Sequence, residues 1–68
     1  MELSDKLKQI RIENHMTQQQ LAERLGVQKS VISYYESGSR FPSYDVLIRF
    51  ARLFHVSTDY LLGIAIHR

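Results

Sequence analysis

Apolar residues recur three and four positions apart along most of this chain, the spacing that gathers them on one face of an α-helix. Leu3, Leu7 and Ile10 form the first such stripe, with Lys6, Lys8 and Glu13 on the wet side. They predict a helix over about residues 4–14, capped by Ser4 or Asp5. Arg11 lies beside the stripe and is expected to be partly covered; Asn14 and His15 end the helix, and Met16 returns to the core. Thr17 can cap a second helix, its hydroxyl accepting a backbone N–H that otherwise has no partner. Leu21, Ala22 and Leu25 then share a face, Gly26 stops the helix, and Val27 follows as an apolar plug. A third helix begins near Gln28. Val31, Ile32 and Tyr35 fall on one side of it, Lys29, Ser30, Ser33, Tyr34 and Ser37 mainly on the other, and Gly38 ends it. Pro42 fixes the backbone and Ser43 caps a fourth helix over about residues 44–54, with Leu47, Phe50, Ala51 and Phe54 inward. Val56 and a Ser57 cap lead into a short fifth helix over residues 58–62, ended by Gly63. The remaining I-A-I-H-R segment carries Ile64 and Ile66, which no preceding element needs.

Residues 17–38 organise the rest: a short helix with an apolar inside, a glycine turn, then a helix whose outer face is rich in hydrogen-bonding groups. That is the layout of a helix-turn-helix, whose second helix enters the DNA major groove. The chain as a whole reads as all-α, a compact five-helix bundle, with residues 1–68 forming a single domain. No linker, repeat or low-complexity segment interrupts it.

Composition narrows the function classes. A chain of 68 residues buries only roughly 60% of its unfolded surface, and with no cysteine neither a disulfide nor a thiolate metal site is available. The hydrophobic fraction of 44% suffices for a helical bundle. No apolar run approaches a membrane span, and M-E-L-S-D-K lacks the basic-then-apolar order of a signal peptide, so a soluble cytoplasmic protein is the expectation. His15, His55 and His67 share no metal-ligand spacing, and no Gly-x-Ser-x-Gly elbow is present. Neither an enzyme, a metal, a cofactor nor a small-molecule ligand is expected. A net charge of +2 permits nucleic-acid binding without arguing strongly for it.

Several residues at fixed spacing carry a family resemblance: Arg11, T-Q-x-x-L-A from Thr17, Leu25-Gly26-Val27, Ile32-Ser33, Glu36-x-Gly38, Pro42-Ser43, Leu47, Ala51, and V-S-x-D-x-L-L-G from Val56. Over about residues 7–63 the chain resembles the helix-turn-helix domain of phage repressors and Cro proteins, the lambda-repressor-like domain of XRE-type regulators. The resemblance implies a five-helix domain that binds double-stranded operator DNA, usually as a two-fold dimer. It implies that Gln18 contacts phosphate, at a helix N-terminus whose free N–H groups also favour an anion. By the same resemblance Lys29, Ser30 and Tyr34 occupy base-contacting positions, Ser39 and Arg40 fall in a loop that touches the DNA backbone, and Arg11 and Glu36 form a structural ion pair. The sequence departs from the family pattern at Tyr34, which is bulky and aromatic, at Val31, which is apolar, and at His55, which stands where glycine or asparagine often ends the fourth helix. Histidine tolerates the left-handed conformation better than bulky apolar residues do.

Alternatives stay open at two of these positions. Val31 either packs inside or offers an apolar surface to a thymine methyl; Tyr34 either covers the end of the core or presents its hydroxyl and ring to DNA. Leu61, Leu62, Ile64 and Ile66 crowd the C-terminal end beyond what five short helices need, and are expected to supply a two-fold homodimer interface. The leading expectation is a sequence-specific transcriptional regulator, a repressor on a palindromic operator. The competing one is a protein-interaction module or antitoxin on the same fold.

Overall fold

A computed structural model describes residues 2–64, which form five helices and no strand. They are α1 (Glu2–Glu13), α2 (Gln18–Leu25), α3 (Lys29–Ser37), α4 (Tyr44–Phe54) and α5 (Thr58–Leu61). The all-α, five-helix architecture is the one the apolar stripes predict. Among the described residues, no helix is long and apolar enough to cross a membrane.

One contiguous core holds these helices. Leu3, Leu7 and Ile10 of α1 meet Leu21, Ala22 and Leu25 of α2, Ile32 of α3, Val46, Leu47, Phe50 and Ala51 of α4, and Leu61 of α5. Helix α3 packs against both α2 and α1, while α5 closes the base against α1 and α4. Phe50 and Phe54 add a tilted ring pair with centroids 4.7 Å apart, a geometry that aromatic quadrupoles favour. Met16 and Val27 pack against this core from the turns, as their placement in the sequence suggests.

Helix ends account for most of the local order. Thr17 and Gln20 make a capping box: the Gln20 N–H donates to Thr17 Oγ1 at 3.0 Å, and the Thr17 N–H donates to Gln20 Oε1 at 2.8 Å. Gly26 takes the left-handed conformation at φ 72°, which lets the chain turn straight from α2 into α3. Ser43 and Ser57 cap α4 and α5 through the N–H groups of Val46 and Tyr60. His55 ends α4 in the left-handed region at φ 56°, as its position predicts; His15 does the same after α1 at φ 57°.

Four local expectations need correction. Helix α1 starts at Glu2, so Ser4 and Asp5 sit inside it rather than at its N-cap position. Leu3 is buried four residues before Leu7, and helical geometry must already hold there to put both on one face. Ser4 is itself buried, close to the Gly38 turn. Lys6 is not on a purely wet face: its ammonium donates to the Tyr60 carbonyl at 2.8 Å and lies 4.7 Å from the centre of the Tyr60 ring. Helix α5 stops at Leu61, one residue short of the expected bound. Val46 joins the α4 core while Phe54 is only half-buried, because the inner face of α4 spans two adjacent rows rather than one stripe.

Candidate nucleic-acid interface

Helix α3 is fixed from its inner side by Ile32, which is 1% exposed. That anchoring turns Lys29, Ser30, Ser33, Tyr34 and Ser37 to solvent as one stripe, since residues three and four apart lie over one another. No acidic residue stands in its first turn, so nothing local there repels a polyanion. Val31 is half-buried at the margin of the stripe, beside the core rather than within it. Tyr34 keeps 40% of its surface exposed and therefore does not serve simply as a lid on the core.

The loop after α3 folds back on that helix. The N–H groups of Ser39 and Arg40 both point at the Tyr34 carbonyl, at 3.0 and 3.3 Å. Ser37 Oγ donates to the same carbonyl at 3.1 Å and lies 2.8 Å from Ser39 Oγ. The Arg40 guanidinium sits over the Tyr34 ring, 4.4 Å from its centre. Ser39 and Arg40 are thus placed beside the C-terminal half of the stripe, and both are exposed.

The N-terminus of α2 is tied to the last turn of α3 through Glu36. Arg11 donates from Nε to Glu36 Oε2 at 2.7 Å and from Nη2 to Oε1 at 3.1 Å. Gln18 Nε2 donates to Glu36 Oε1 at 3.1 Å, and Arg11 Nη1 reaches the Met16 carbonyl at 2.8 Å. The two charged side chains are 12% and 4% exposed, so the ion pair read from Arg11 and Glu36 exists and is largely withdrawn from water. Gln18 is half-buried, with its amide held by this network at the mouth of α2.

The C-terminal apolar residues divide. Leu61 is fully buried in the core of its own chain and offers no surface to a second copy; its assignment to a dimer interface is corrected. Leu62 and Ile64 are exposed, and Ile66 lies outside the described residues. Two exposed aromatics have no counterpart in the expected site: Phe41, next to Arg40 in the chain, and Tyr44, at the start of α4, are 74% and 76% exposed. Their signal was the position of two aromatics flanking Pro42-Ser43, off the inner rows of α4.

Comparison with known proteins gives the same motif. The helix-turn-helix family model matches residues 7–61. Over 59 residues the chain is 44% identical to YobD, an uncharacterized HTH-type transcriptional regulator of Bacillus subtilis, covering 87% of this chain and 53% of that protein. The chain spans about half the length of the first Bacillus subtilis relatives it matches. The P22 c2 repressor, solved with a synthetic operator, superposes with a TM-score of 0.88 at 23% identity, over 96% of this chain and 98% of that one, a likeness of fold. SinR, a master regulator for biofilm formation solved in complex with DNA, is 33% identical with a TM-score of 0.80, over 88% of this chain and 97% of that one.

Proposed function

This chain belongs to the helix-turn-helix family, and on that premise we propose that it is a DNA-binding transcriptional regulator that lays α3 in the major groove of an operator. The observation that carries this is the outer stripe of α3: polar and exposed along its length, anchored from behind, and flanked by Gln18 on one side and Ser39 and Arg40 on the other. Major-groove base edges offer donors, acceptors and thymine methyls to such a stripe, and Lys29, Ser30 and Tyr34 are the side chains of suitable reach. Val31 at its margin supplies an apolar contact for a methyl group. Gln18, Ser39 and Arg40 hold the phosphates and set the register.

We further propose that two copies pair through the exposed Leu62 and Ile64 that follow α5, that the pair binds a palindromic operator, and that the protein represses by occupying the site. SinR, 33% identical to this chain, was solved in complex with DNA, which supports DNA binding for this chain. The test is selection of bound sequences from a random duplex pool, followed by titration of the recovered sequence and a scrambled control at several salt concentrations. A recovered two-fold motif bound at least about a thousandfold better than the control is the expected result. Recovery of no motif would remove the sequence-specific reading and favour a protein-binding module.

A further inference from the structure

Tyr34 carries the largest ring on the outer stripe of α3, and that ring is held from one side. The Arg40 guanidinium lies 4.4 Å from its centre, while the Arg40 N–H points at the Tyr34 carbonyl at 3.3 Å. The backbone tie keeps the loop from drifting relative to the ring, and the side-chain tie covers one ring face. A guanidinium stacks through its flat face and donates through its edge, so Arg40 keeps N–H groups for a phosphate while it stacks. An unsupported tyrosine would have to give up rotamer freedom on docking; one already clamped loses less.

We propose that Arg40 is a positioning residue for Tyr34: it fixes the ring in the orientation that reads a base pair, so that preference at that pair depends on a side chain that touches no base. The inference rests on the DNA-binding reading above and adds a coupling between a backbone-contacting loop and base recognition. Its size is that of an exposed cation–π contact, about threefold in base preference.

The experiment measures base preference as a ratio of affinities of the full chain for two operators differing at one base pair. A loss shared by all sequences cancels in this ratio. Arg40→Ala is expected to lower the ratio about threefold at the base pair where Tyr34→Ala also lowers it, and at no other. Added to Tyr34→Ala, it should lower the ratio no further, because the two act as one unit. An unchanged ratio in Arg40→Ala would reduce Arg40 to a phosphate contact and overturn the proposal. A further fall in the double variant would make Arg40 a base reader and overturn it equally. If Tyr34→Ala leaves every ratio intact, Tyr34 reads no base, and the proposal falls together with that site assignment. A second measurement needs no DNA: the Arg40 δ-protons should be shifted upfield by the Tyr34 ring in the free protein, and Tyr34→Ala should abolish the shift. Its absence would overturn the clamp while leaving the DNA-binding reading standing.

Discussion

At Glu36 three parts of the chain meet on one carboxylate: Arg11 from α1, Gln18 from the mouth of α2, and the end of α3 that carries it. A pair this withdrawn from water fixes orientation more than it adds net stability, but removing one member strands the other's charge at a cost of about 3–5 kcal/mol. For so small a domain that approaches the whole margin. Glu36→Ala is therefore expected to melt far below the parent protein, and an unchanged melting temperature would rule the network out as a structural element. The outer residues behave differently. Lys29 is exposed, so Lys29→Ala should change stability by no more than about 0.5 kcal/mol. On the operator it should cost about 1–3 kcal/mol and relax one base pair per half-site. If only the salt slope changes, Lys29 contacts phosphate, and base reading centres on Ser30 and Tyr34.

Helices as short as these are marginal alone, so their ends and their burial decide whether they form. Thr17→Ala deletes half of the capping box on α2 and should cost about 1 kcal/mol in denaturant titration. His55 holds a left-handed conformation that costs a non-glycine residue about 1–2 kcal/mol. His55→Gly should stabilise by about 0.5–1 kcal/mol once the greater freedom of glycine in the unfolded chain is deducted; a lower melting temperature would mean that the imidazole makes contacts worth more than the strain. These features were legible in the sequence because they are local: a serine or threonine ahead of an apolar stripe, a glycine or histidine after one. What the sequence hid was contact over distance. Lys6 reaches the Tyr60 carbonyl and ring from the opposite end of the chain. Arg49 of α4 donates to the Leu25 carbonyl at 2.7 Å and so helps to close α2. Neither has a local signature. Leu61 and Leu62 were indistinguishable for another reason: a four-residue helix is too short for its period to say which of two adjacent leucines turns inward.

Two-fold assembly is a question for the whole molecule, because one subunit presents one α3. The domain measures 28 × 22 × 21 Å. Two copies in contact along a short axis fit within the separation of about 34 Å that recognition helices need to reach successive major grooves on one face of DNA. Leu62 and Ile64 are 49% and 73% exposed, and they follow a helix already locked into the core through Leu61. An interface there would be small, so a dimer that forms fully only on the operator is the expected behaviour. Ile64→Asp places a charge in that contact and leaves the core untouched. It should keep the melting temperature of the free domain, keep binding to an isolated half-site, and lose cooperative binding to the full palindrome, a desolvated charge being costly to bury without a partner. Light scattering with and without operator, read beside footprinting on half and whole sites, separates the outcomes. If Ile64→Asp binds the palindrome as cooperatively as the parent, the two subunits meet elsewhere. The exposed aromatics Phe41 and Tyr44, which follow Ser39 and Arg40 in the chain, would then be the surface to substitute next.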